Sequence, residues 1–135
     1  MRLTLEESEH ALSVQDLNEF EKKFSVPLPT AFKEFYLRNN GGYLPESKSD
    51  NEFLLGGFTP IKHGEVSIEV VHHDLTDDIS SLKKMIPFAY DQGGNSFLLS
   101  VKDDDYGNIY LFLMDEKELA FVCSSFEEFI AELTD

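Results

Sequence analysis

Basic residues are scarce in this chain: 11 Lys and Arg stand against 26 Asp and Glu over 135 residues, a formal charge of −15. That balance excludes a protein whose own surface holds nucleic acid or an anionic membrane, because both require a positive field. It suits a basic partner, met quickly and in a salt-sensitive way, although acidity also serves plain solubility. Cysteine is nearly missing, and the single Cys123 excludes an intrachain disulfide and fits a reducing compartment. Tryptophan is absent, so the 12 Phe and 5 Tyr must supply the large side chains of the core. Long apolar runs are absent too. The longest, Ile109 to Met114, is too short to span a bilayer, and Met1-Arg-Leu-Thr-Leu-Glu-Glu lacks the apolar stretch of a signal peptide. These bounds lead to the expectation of a soluble, cytoplasmic, single domain over residues 1–135.

What is present is organised around Val26 to Gly42. A residue before proline is pushed towards extended geometry, so Val26 and Leu28 precede the helix and Pro29 opens it. Phe32, Phe35 and Tyr36 form one apolar stripe at helical spacing, and Asn39-Asn40-Gly41-Gly42 supplies the stop. An earlier helix starts at Ser13, where Ser13 with Asp16 resembles a capping box, and Val14, Leu17, Phe20 and Phe24 should be buried. Residues Met1 to His10 read as a polar, frayed end.

After Gly42 the pattern turns to strands. Tyr43-Leu44 and Phe53 to Phe58 are separated by a polar loop from Pro45 to Glu52, and Gly56-Gly57 implies a bulge or a close backbone approach. Glu65 to Leu75 fits either period, with a short helix preferred, and Leu82 to Met85 reads as a further helical turn. Ile86 to Tyr90 reads as a strand led by an edge proline, followed by a turn at Asp91 to Asn95 and a half-buried strand in which Phe97, Leu99 and Val101 alternate with Ser96, Leu98 and Ser100. Ile109 to Met114 is apolar on both faces and should lie centrally. Leu119 to Cys123 completes an antiparallel meander, and Ser125 with Glu128 starts a last helix through a second capping box. The fold class is therefore α+β: a single domain with two N-terminal helices, a mainly antiparallel sheet of five or six strands, a common size, and a C-terminal helix.

Leu28-Pro29 before an aromatic helix and Asn40-Gly41-Gly42, Ile86-Pro87-Phe88-Ala89 leading to Asp91 and Gly93-Gly94-Asn95, and the closing Ser125-Phe126-Glu127-Glu128-Phe129 resemble the SMI1/KNR4 family of the SUKH superfamily in order and spacing. The likeness weakens between Ser47 and Leu82. It implies an immunity protein that neutralises a cognate polymorphic or contact-dependent bacterial toxin, often a nuclease. The eukaryotic branch of the family implies the alternative, an intracellular scaffold or regulator.

Motifs that could carry catalysis or a metal dissolve on inspection. In Asp103-Asp104-Asp105-Tyr106-Gly107-Asn108 the glycine comes fifth and Met114 stands where a calcium loop needs glutamate, so a solvated turn is preferred. His72-His73-Asp74 lacks a matching ligand pair, Gly93-Gly94 precedes a strand instead of a phosphate-binding helix, and Cys123 has no base marked beside it. No enzyme, cofactor or metal is expected. The partner that the resemblance implies is a cognate protein toxin, expected to be basic, with no role expected for nucleic acid or membrane. A nuclease toxin holds phosphates on a basic surface, which an acidic decoy could cover. Three acidic segments read as loops are the contact candidates: Glu46, Asp50 and Glu52; Asp74, Asp77 and Asp78; and Asp103, Asp104 and Asp105.

Overall fold

The Ser13 hydroxyl accepts the Asp16 amide at 3.0 Å while the Asp16 carboxylate accepts the Ser13 amide at 3.1 Å, so the capping box forms in full and α1 runs Val14–Lys22. Leu17, Phe20 and Phe24 are buried, but Val14 is 63% exposed. At 100° per residue Val14 points roughly a quarter turn away from the other three, which the expected four-residue stripe overlooked. The structure, a computed structural model, describes residues 3–48 and 50–134; Met1 and Arg2 of the segment read as frayed, Ser49 of the polar loop, and Asp135 lie outside the described residues.

Helix α2 spans Thr30–Arg38, with Pro29 in the extended cap position instead of the first helical one. Its carbonyl still accepts the Lys33 amide at 3.2 Å and opens the helix. Phe32, Phe35 and Tyr36 are buried as their spacing requires, and the Tyr36 hydroxyl reaches the carbonyls of Thr59 at 2.7 Å and Phe88 at 3.0 Å.

Six strands follow: β1 Gly42–Tyr43, β2 Leu55–Phe58, β3 Met85–Asp91, β4 Ser96–Ser100, β5 Ile109–Leu113 and β6 Glu118–Cys123. They form one antiparallel sheet in chain order. Helix α3, Ile68–Asp78, lies between β2 and β3 in sequence, and α4, Phe126–Leu133, ends the chain, so the α+β single-domain architecture is as the sequence indicates. The ambiguous stretch is thus helical from Ile68, with Ser67 as its cap. The helical turn lies at Ser80–Leu82, and Met85 already belongs to β3.

The two faces of the sheet bury different side chains. On one, Phe88, Phe97, Leu99 and Ile109 join Phe32, Phe35, Phe126 and Phe129 in the main core. Its rings meet mostly edge to face, with Phe53 and Phe129 stacked at 4.5 Å. On the other face, Met85, Leu98 and Phe112 pack with Leu75 of α3 and with Leu82. This second cover buries Leu98 completely, and Ser100, bonded to Asp105, is fully buried as well, so β4 is not the half-buried strand its alternation implies. β3 and β4 form the buried centre. β5 is interior but next to the edge, and only Ile109 and Phe112 along it are buried. Pro87 sits in an interior strand, not at an edge, and is accommodated at a register shift against β4. At α4, Ser125 accepts the Glu128 amide, but the Glu128 carboxylate takes the Ser124 amide and hydroxyl, so the second box closes one residue early.

The first residues are not frayed where they are described. Leu3 and Leu5 are buried, and Glu6 and Tyr43 exchange backbone hydrogen bonds of 2.8 Å in both directions. Residues 3–10 make a strap across the sheet edge.

Candidate functional site

Cross-strand pairing places Tyr43, Gly57, Tyr90, Ser96, Phe112 and Leu119 in one row on the face that α3 partly covers. Phe112 lies under the helix side of this row, while Tyr43 and Tyr90 are left open. Gly57 makes the arrangement possible: a Cβ there would stand 2.6 Å from the Tyr90 hydroxyl oxygen, so the Tyr90 ring occupies the space over Gly56 and Gly57. Both sequence readings of the Gly-Gly pair hold, since the β2–β3 register also shifts between Leu55 and Gly57. Burial, then the neighbouring Tyr43 phenol, raises the Tyr90 pKa above its ordinary value, which keeps the hydroxyl protonated.

This open part of the row is the floor of a groove of about 650 Å³. Its walls are the strap, with Glu7 and Glu9, and the approach to α3, with Gly64, Glu65 and Val66, closed by Val71. The strap is held by the Glu6–Tyr43 pair, by the Ser8 hydroxyl donating to the Gly41 carbonyl at 2.8 Å, and by the Glu9 amide donating to the Asn40 carbonyl at 3.0 Å. Between these anchors Glu7 adopts φ 56°, a left-handed conformation that an ordinary residue keeps only under constraint. Asn40 is buried with its amide donating to His10 and Ile61 carbonyls and its oxygen accepting the Ile61 amide. Gly41 and Gly42 both have positive φ and pass so close to Pro60 and to the Glu6 carbonyl that no side chain fits. The Asn40-Gly41-Gly42 motif thus joins the strap, β1 and the chain beyond β2.

The acidic candidates are distributed elsewhere. Glu46 starts a helical turn of three residues, and Asp50 and Glu52 are exposed beside Asn51, whose side chain organises the loop by accepting the Phe53 and Leu55 amides. Asp74, Asp77 and Asp78 are exposed but stand on α3, not on a loop. Asp78 pairs with Lys117 in the β5–β6 turn. Asp103 and Asp104 are exposed, whereas Asp105 is half-buried and accepts the hydroxyls of Ser100 at 2.5 Å and Tyr110 at 2.7 Å, with Lys102 at 3.7 Å. Desolvation raises the Asp105 pKa, but these partners outweigh it and hold the carboxyl below its ordinary value. The three segments do not converge, because the β1–β2 and β4–β5 connections leave an antiparallel meander from opposite ends. Sequence reasoning missed the groove residues Glu7, Glu9, Tyr43, Glu65 and Tyr90. The Gly-Gly gap facing an aromatic strand was the one local signal.

The discarded motifs have structural work. The Asp91 carboxylate accepts the Gly93 and Asn95 amides and the Asn95 side-chain amide, so the turn is filled from within. His72 packs on Phe24 and meets the Lys83 carbonyl at 2.8 Å, while His73 is exposed. Burial pushes the Cys123 thiol up to about 11. Among the described residues no group of three or more His, Cys, Asp or Glu could hold a metal, and no helix is long and apolar enough to cross a membrane.

An antiparallel meander with helices on both faces, a groove beside its first strand and an acidic surface defines a small α+β domain. The model of the SMI1/KNR4 family (SUKH-1) matches residues 11–132, and the chain belongs to that family. It is also similar to the uncharacterized protein YobM of Bacillus subtilis, 30% identical over 83 residues, which is 62% of this chain. That match spans 43% of YobM.

Proposed function

We propose that the protein is an immunity protein that binds a cognate polymorphic or contact-dependent bacterial toxin in the cytoplasm and neutralises it by occluding a basic surface. A nuclease is the toxin class that this chemistry suits, because a surface that holds phosphates also attracts carboxylates. The observation that carries the reading is the charge of −15 on a member of this family, much of it on exposed side chains away from the core. Glu46, Asp50, Glu52, Asp74, Asp77, Asp78, Asp103 and Asp104 supply a negative field that speeds association, each acting as a rim charge. Asp105 holds the turn that presents Asp103 and Asp104.

Neutralisation is by binding and not by turnover. The test starts at the gene immediately upstream: one encoding a large secreted protein with a toxic C-terminal domain supports this reading over an intracellular scaffold or regulator, and co-expression and titration with that domain then measure neutralisation. Protection should follow affinity and stoichiometry. Product formed in excess of the protein, and abolished by one conservative substitution, would replace this reading with an enzyme.

A further inference from the structure

We propose that the groove between the strap and α3 is a socket for an arginine side chain of a partner protein. This rests on the reading above for there being a protein partner, and goes beyond it in assigning a site and a ligand chemistry.

The lining sets the charge. Glu7, Glu9 and Glu65 are all exposed, and no Lys, Arg or His lines the groove. None of the three glutamates forms an ion pair with a cation among the described residues. Lys62, the cation nearest in sequence to Gly64 and Glu65, is engaged by Asp16 of α1 at 2.7 Å. The Glu9 carboxylate lies against the loop that carries Glu65: a Cβ on Gly64 would lie 3.1 Å from it, so Glu9 packs over the residue before Glu65. A concave site bounded by low-dielectric protein concentrates such a field, whereas a flat acidic surface only steers.

The floor selects among cations. Tyr43 is 48% exposed and Tyr90 is half-buried, its ring laid over the two glycines of β2, so aromatic surface lines the same groove as the glutamates. A guanidinium is planar and weakly hydrated. It can stack on an aromatic ring while its fork donates to two carboxylates, which an ammonium cannot do. The volume of about 650 Å³ admits the side chain with the flanking backbone of a loop. The hydrogen-bonded strap holds Glu7 and Glu9 in place before any ligand arrives, which lowers the ordering cost of binding.

The experiment titrates the ¹⁵N-labelled protein with acetyl-Gly-Arg-Gly-amide and with its citrulline and lysine counterparts, following amide shifts. Saturable shifts centred on Tyr43, Gly57, Val66 and Tyr90 are expected with the arginine peptide. Citrulline, which keeps the shape without the charge, should bind at least about tenfold more weakly, and lysine about threefold more weakly. The combined Glu7→Gln, Glu9→Gln and Glu65→Gln variant should lose about tenfold and Tyr43→Ala about threefold. Glu127→Gln with Glu132→Gln, exposed on α4 away from the groove, should change nothing. Shifts spread over the acidic surface at large, equal affinity for citrulline, or no saturable shift would overturn the socket. No toxin enters this titration, so a negative result removes the socket and leaves the toxin reading standing. A chain that takes the peptide but binds no toxin removes that reading and leaves the socket.

Discussion

Gly57 and Tyr90 show how much one absent side chain decides. In Gly57→Ala the new Cβ would meet the Tyr90 hydroxyl oxygen at 2.6 Å and the Gly42 carbonyl oxygen at 2.9 Å. The backbone contact cannot swing aside, so a loss of about 1–3 kcal/mol in urea unfolding is expected, together with a shift of the Tyr90 ring signals. An unchanged midpoint and unchanged ring signals would mean that Tyr90 does not lie on that glycine. Asp105 supplies a second test. Its folded pKa lies below the unfolded one, so its contribution is fully present above the ordinary carboxylate range near pH 4 and is lost as pH falls through the lowered folded value. Asp105→Asn should cost about 1–3 kcal/mol at neutral pH, since Ser100 and Tyr110 lose a charged acceptor. The variant should also lack the wild type's extra fall in stability below about pH 4. Parallel stability curves for the two proteins across that range would contradict this. The sequence shows three adjacent aspartates alike. Only the fold brings Ser100 and Tyr110 to one of them and makes it scaffold.

At the scale of elements, local signals were read well and distant ones poorly. The Ser13 cap, the stripe of α2, the Asp91 turn and the strands around it are written in neighbouring residues, and the structure has them. The strap is not written locally: its order depends on Tyr43 and Asn40, thirty or more residues away in sequence. The burial of Leu98 depends likewise on α3 packing on a face that alternation alone assigns to solvent. Hence the aromatic core was legible, while the groove, built from strap, β1, β3 and the entry to α3, was not. Hydrogen exchange tests the strap: the Glu6 and Tyr43 amides should exchange slowly, as sheet amides do, and exchange of both at free-chain rates would return the segment to a frayed end. Phe129→Ala, which removes a ring contacting Phe53, Phe58, Phe88 and Phe97, should cost about 3–5 kcal/mol in urea unfolding. A loss under about 1 kcal/mol would show that α4 does not anchor that core.

For the whole molecule, charge is the property that ties fold to function. The chain belongs to the SMI1/KNR4 family, and on the function proposed here its 26 acidic against 11 basic residues suit a basic partner surface. The acidic side chains lie at both ends of the sheet, on α3 and around the groove, so steering should be spread over the surface while seating is local. The most direct measurement is the association rate with the toxic domain of a cognate toxin, at low and high salt, for the wild type and for Asp77→Asn with Asp78→Asn and Asp103→Asn with Asp104→Asn. Fast binding that saturates at fixed stoichiometry, slows steeply with salt, and loses rate and salt slope in the variants is the expected result. Absence of binding, or a rate indifferent to salt and to all four aspartates, would contradict an acidic immunity protein acting on a basic toxin.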